Sequence, residues 1–235
     1  MTDHIFASLW DLGYRSLLPI IPPSAEISVN SSLFKRIGTK QDARGKVPGI
    51  KGNHGRWFSF DWLRHTTTDA DLDKWADMGA GLGIRTGNGL LAIDADTLDL
   101  TCAMAIEKVV RQHFGETPIR IGRHPKALYL IATSEEILYQ RIDFNEPDEH
   151  GNQERVELLT GKQQFVAHGI HPKTGNPYKW ISPLVPVSQL PVANSEQIAA
   201  FMADLAAVLP QASQLKSEGS AAEYNQKDFI GSVAL

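Results

Sequence analysis

Leu90-Leu91-Ala92-Ile93-Asp94-Ala95-Asp96 is an apolar run that ends in two acids one residue apart. Its length and aliphatic content predict a strand, and side chains repeat on one face of a strand every two residues. Asp94 and Asp96 therefore share a face. Two carboxylates that close repel each other unless a positive charge lies between them. A divalent metal is the simplest solution, and all-oxygen ligation suits Mg2+ or Mn2+. The competing reading is a pair of solvated acids where a strand runs out.

Just before this run, Gly81–Arg85 reads as a second strand, and Thr86-Gly87-Asn88-Gly89 as the turn of a hairpin joining the two. A helix follows over about 98–114, with Ala103, Ile106, Val109 and Val110 as its apolar stripe and Gly115 at its end. Lys126–Ala132 and Arg155–Leu159 read as strands, as does Gln163–Ala167 beyond a turn at Thr160-Gly161. Towards the N-terminus come a helix at 4–12, a strand at 15–21, a long Ser/Pro/Gly/Lys-rich loop at 22–56 and a helix starting at Thr68. Residues 195–209 predict an amphipathic helix capped by Ser195. The fold class is mixed α/β or α+β. Residues 1–210 read as one catalytic-size region, and 211–235 as a linker or tail.

Composition narrows the class. Hydrophobic residues make up 42% and charged residues 21%, ordinary for a globular protein. No apolar stretch reaches the ~20 residues that cross a bilayer, and the first residues lack a signal-like pattern. The expected setting is the cytoplasm of a bacterium or a phage-infected host, with no membrane partner. The single cysteine, Cys102, excludes an internal disulfide and a multi-cysteine zinc site, and reads as a small buried hydrophobe. A formal net charge of −4 means that any nucleic-acid contact must use local basic surface.

Three further groups bear on chemistry. Glu157 lies among Val156, Leu158 and Leu159, where an acid needs a partner: an arginine, or a metal shared with Asp94 and Asp96. Arg120-Ile-Gly-Arg-His-Pro-Lys126 places Arg120, Arg123 and Lys126 around a glycine and a proline, either to hold a polyanion such as a triphosphate or as a solvated loop. In His171-Pro-Lys-Thr-Gly-Asn-Pro-Tyr-Lys-Trp180 a turn is expected to project His171, Lys173, Tyr178 and Trp180, a mixture that can pair with phosphates and stack on bases. Walker A, Gly-x-Ser-x-Gly and His-Glu-x-x-His patterns are absent.

In order, these blocks resemble the bifunctional DNA primase/polymerase family of the archaeo-eukaryotic primase superfamily, in particular its phage and prophage branch. The likeness runs over about residues 10–182, through Gly83-Ile-Arg-Thr-Gly87, Asp94-Ala-Asp96, Arg120-x-Gly-Arg-x-Pro-Lys126, Glu157-Leu-Leu-Thr-Gly and Gly169-Ile-His-Pro-Lys-Thr-Gly-x-Pro-Tyr178. The resemblance implies a palm-like core with an RNA-recognition-like sheet and an N-terminal α/β unit. It implies Asp94, Asp96 and Glu157 as catalytic metal ligands for Mg2+ or Mn2+. Arg120, Arg123, Lys126 and His171 are then expected at the dNTP or NTP, and Arg85, Lys173 and Lys179 at a single-stranded DNA template and primer. A helicase, as a following domain or a separate protein, is the expected partner. In many members a histidine after the basic turn meets the nucleotide's phosphates; the matching place here is Ala127. The leading expectation is a template-dependent nucleotidyltransferase in DNA replication. A metal-dependent nuclease and a degenerate, non-catalytic DNA- or nucleotide-binding domain are the alternatives.

Overall fold

The computed structural model describes residues 4–212 and 216–218. The chain folds as two compact units, one holding residues 4–85 and 164–178, the other 86–163, 179–212 and 216–218. In the first, α1 (Ile5–Asp11) buries Phe6 and Leu9, and the His4 ring caps its start by accepting from the Ala7 N–H. Then come β1 (Leu17–Ile20), a two-stranded pair of β2 (Ile50–Lys51) and β3 (Trp57–Phe58), α2 (Asp69–Asp77) and β4 (Gly81–Arg85). At the start of α2 the Asp71 carboxylate accepts from the Thr68 N–H at 2.9 Å, the expected capping pattern. The loop between β1 and β2 has its own small core of Ile21, Ala25, Ile27, Leu33 and Val47 around Trp57.

The chain then builds the second unit with β5 (Leu90–Asp96), α3 (Leu100–Phe114), β6 (Ile119–Ile121), β7 (Ala127–Ala132), β8 (Tyr139–Phe144) and β9 (Glu154–Leu159). It returns to the first unit as β10 (Gln164–His168), which pairs with β4 opposite β1. Finally β11 (Lys179–Ser182), α4 (Ser195–Val208) and β12 (Lys216–Glu218) complete the second unit. Its sheet has seven strands in the order β11-β6-β7-β5-β9-β8-β12, every neighbouring pair antiparallel. The protein is α+β.

Helices α3 and α4 cover one face of this sheet. Leu91, Ile93 and Ala95 from β5, Tyr129 and Ile131 from β7, and Val156 and Leu158 from β9 pack there with Ile106, Val110, Phe201 and Leu205. Asp99 caps α3 by accepting from the N–H groups of Thr101 and Cys102, and Cys102 is buried as expected. Asn194, rather than Ser195, caps α4: its side chain accepts from Gln197 N–H at 2.8 Å.

The expected hairpin of β4 and β5 does not form, because the two strands belong to different sheets. Gly87, Asn88 and Gly89 all take positive φ and redirect the chain instead of folding it back. The segment from β9 to β10 makes the same change of sheet. The two crossings lie side by side: the Thr86 N–H donates to the Gln163 carbonyl, and a Cβ on Gly87 would come within 2.7 Å of Gly161 Cα. Glycine at 87 follows from that approach. The tail expected after Pro210 lies largely outside the described residues, but Lys216–Glu218 pair with Tyr139–Arg141 as an edge strand.

Candidate active site

Strand β5 occupies the centre of the seven-stranded sheet. Its first four residues are buried, and thereafter burial alternates, leaving Asp94 and Asp96 part-exposed on the face opposite the helices. Register fixes their neighbours. Asp94 stands directly opposite Glu157 on β9, and Asp96 opposite Arg155. Directly opposed residues share a face, with Cβ atoms about 4.5–5.5 Å apart. The three acids singled out in the sequence therefore lie on one face, in adjacent rows.

The rows continue across the sheet. Asp94 faces Leu128, which faces Arg120 on β6; Glu157 faces Arg141 on β8; Arg155 faces Asp143. Charges of both signs lie over this half of the face. The Lys126 ammonium contacts Asp96 Oδ1. The Tyr139 hydroxyl donates to Glu157 Oε1 at 2.5 Å. Burial first, and the Glu157 charge second, push the Tyr139 phenol far above its ordinary range, so it stays a donor. Arg141 grips Asp143 through two bonds of 2.8 and 2.7 Å, and Lys216 adds a third at 2.8 Å. Burial opposes the charge on Asp143, but those partners outweigh it and hold the carboxyl below its usual range. On the helix side of β9, Glu154 accepts from Thr97 Oγ1, Leu98 N–H and Asn145 Nδ2, fixing the end of β5 relative to β9.

Three carboxylates in adjacent rows are the type of oxygen donor that a hard divalent cation takes. The side chains as placed turn towards other groups, Asp96 to Lys126 and Glu157 to Tyr139, and no three His, Cys, Asp or Glu side chains among the described residues converge closely enough to hold a metal ion.

A family model described as the N-terminal domain of bifunctional DNA primase/polymerase matches residues 9–193. The chain belongs to that family. The match takes in both units and every acid of the central face, so the coarse activity class is a primase/polymerase-type nucleotidyltransferase of DNA replication. A comparison with curated proteins gives no significant match.

The remaining candidates of this primase/polymerase domain are placed unevenly. Arg120 is buried on the acidic face, facing Leu128. Arg123 is half-buried, and its carbonyl accepts from Lys126 N–H at 2.9 Å, closing the basic turn. Ala127, the place the resemblance gives to the family's histidine, packs in the core beneath the helices, so a side chain there points away from the acids. The neighbouring Lys126 is the residue on the acidic side. Arg85 Nη1 donates to the carbonyls of Trp62 and Leu63, anchoring a loop. His171 and Tyr178 do not project: both are buried against each other, ring centroids 5.3 Å apart, and His171 Nδ1 accepts from the N–H groups of Lys173 and Thr174. Trp180 is half-buried in β11, whereas Lys173 and Lys179 are exposed. Gly45 packs so tightly on Pro172 that an added Cβ would meet its Cδ at 3.0 Å, which brings the loop carrying exposed Lys46 onto the turn carrying Lys173.

Tyr139, Arg141 and Asp143 were not anticipated from the sequence. Tyr139-Gln-Arg-Ile-Asp-Phe144 places buried Ile142 and Phe144 two apart, a strand alternation that would have found them.

Proposed function

We propose that the second unit carries out template-dependent nucleotidyl transfer, as a DNA primase, a DNA polymerase or both, on the face bearing Asp94, Asp96 and Glu157. One observation carries this reading: Asp94 pairs in register with Glu157 on the central strand, with Asp96 two residues along the same face. These residues would hold Mg2+ or Mn2+. Bound there, the ion would supply charge neutralisation at the transferring phosphoryl group and at the attacking oxygen.

The chain's own groups supply the rest. Tyr139 donates to one oxygen of Glu157. Arg123 and Lys126, on one closed turn beside Asp96, offer a fork and a point charge to the triphosphate of a dNTP or NTP. Arg120 stands in the row of Asp94 and adds positive potential to the same face. Lys173, Lys46 and Lys179 are exposed cations suited to the phosphates of single-stranded DNA. Arg85 and His171 act in this reading by holding their loops.

The test is incubation of the full chain with labelled primer–template, Mg2+ or Mn2+ and dNTPs, with and without the primer. Primer lengthening, or product from template alone, is the expected result. Shortening would point to nuclease chemistry on the same acids, and an unchanged primer with either metal would overturn the reading.

A further inference from the structure

Lys126 stands where two demands meet. Its ammonium lies on Asp96, one of three acids on a single face, while its backbone closes the turn that carries Arg123. We infer that Lys126 is an exchangeable counter-ion, neutralising Asp96 while no divalent cation is bound and passing to the triphosphate once one enters. The inference rests on the metal reading of Asp94, Asp96 and Glu157 and goes beyond it by giving this lysine two partners in succession.

Two neighbouring cations have partners of their own. The Arg141 guanidinium holds Asp143 bidentately. Arg155, opposite Asp96 in register, directs its Nε at the Gln153 carbonyl at 3.4 Å. Lys126 is the cation placed on Asp96 itself.

The pair is also labile. The side chains of Lys126 and Asp96 are 31% and 37% exposed. Water reaches both, so their attraction is weak and easily exchanged. Asp143 is the contrast: its side chain is 10% exposed and it is gripped by a planar fork, an arrangement made to stay. Glu157 accepts from a neutral hydroxyl rather than from a cation in that bond.

A dication bound to Asp96 would displace the lysine. The ammonium would then face a cation of higher charge and be repelled, and lysine's flexible four-carbon stem lets it swing without moving the strand. A triphosphate brought in with the ion is the anion it would meet. A lysine serving both partners makes cation and nucleotide loading sequential.

The two roles predict effects of opposite sign, which a fixed structural or phosphate-only lysine does not. Mn2+ affinity of the full chain without nucleotide, read from the spin-resonance signal of free Mn2+, should rise by roughly fivefold in Lys126→Met, the scale of an exposed ion pair. dNTP affinity in saturating Mn2+ should fall by about tenfold, as for a lost bond to a charged group. Lys126→Arg should leave Mn2+ affinity near wild type. In an Asp96→Asn background Lys126→Met should no longer tighten Mn2+, because the competing pair is already gone. Unchanged or weaker Mn2+ binding by Lys126→Met, with wild type binding normally, would overturn the exchange and leave the metal site standing. Wild type that binds no Mn2+ would overturn both.

Discussion

The two faces of the seven-stranded sheet are built from the same strands and obey different rules. Beneath α3 and α4 the apolar residues run the full length of β5, from Leu91 through Ile93 to Ala95. On the other face they stop half-way: Leu90, Ala92, Leu128, Leu130 and Leu159 are buried, and beyond them come Asp94, Asp96, Glu157, Lys126 and Arg141. Burial along β5 records the change, continuous over Leu90–Ile93 and alternating from Asp94 onward. The charged site begins where the second face ceases to be apolar. One face is thus made for stability and half of the other for electrostatics, and substitutions one residue apart should separate them.

The largest expected contrast is between Ile93 and Asp94. Ile93 is fully buried. Ile93→Ala should destabilise by about 2–5 kcal/mol, read by denaturant unfolding, and should lower activity only through loss of folded protein. Asp94→Asn should leave stability unchanged or slightly raised, since it relieves repulsion from Glu157 and Asp96. Nucleotide incorporation should fall at least about a thousandfold, which corresponds to roughly 4 kcal/mol of transition-state stabilisation. Equal destabilisation by both substitutions would erase the distinction between the faces.

How far the sequence disclosed these faces depended on which physical signal was local. β5, α3, β7 and β9 are legible because their apolar residues repeat at strand or helix spacing within each segment. The shared face of Asp94 and Asp96 follows from that period alone. The placement of Glu157 needed the register of β9 on β5, a long-range fact that local pattern does not carry; the family resemblance only named Glu157 beside Asp94 and Asp96. The β4–β5 turn misled for the same reason: its glycines signal a reversal, and only the partner crossing at Gly161 shows that the chain is changing sheets. His171 was expected to project because a turn follows it, yet its ring accepts two N–H bonds of that turn and is buried with Tyr178. β8 was missed although its alternation is present, and with it went the partner of Glu157.

Two residues of β8 give smaller and graded effects. Arg141 and Asp143 form a buried pair, with side chains 13% and 10% exposed. Arg141→Met should cost less than the roughly 3–5 kcal/mol of a fully broken buried pair, about 1–3 kcal/mol, because Lys216 still contacts the Asp143 carboxylate. The Asp143 carboxyl lies below its ordinary range in the fold, so its contribution is present above the unfolded-state pKa and is lost as pH falls through the folded value. Removing Arg141 should therefore move acid unfolding to higher pH, and an unmoved acid transition would deny the pair any stabilising role. Tyr139→Phe should cost less, about 0.5–1.5 kcal/mol, as one hydrogen bond is lost. Its sharper signature is weakened Mn2+ binding from a less ordered Glu157, with little change at saturating Mn2+. A change in incorporation that persists at saturating metal would mean that Tyr139 does more than orient that carboxylate.

The smallest effects belong to Lys173 and Lys179, which lie in different units and test whether both meet the nucleic acid. Each is exposed, so removing either should leave stability within about 0.5 kcal/mol. Their contribution, if phosphates are their partners, is counter-ion release from single-stranded DNA. One lost phosphate contact should then reduce the slope of log K against log salt by about 0.7 and weaken binding uniformly across sequences. Lys173 has the stronger local case, because the contact of Gly45 with Pro172 adds exposed Lys46 to its surroundings. Lys179 sits on the edge strand β11 opposite Ile121, with one neighbouring strand and no second basic strand residue in register. Lys173→Ala should therefore change the slope more than Lys179→Ala, and Lys46→Ala should resemble Lys173→Ala. With a net charge of −4 repelling the strand overall, losing one of a few local contacts should be measurable even at this size. Unchanged slopes in all three variants would move the nucleic-acid surface elsewhere, first to exposed Lys35, Lys40 and Lys51 of the long loop.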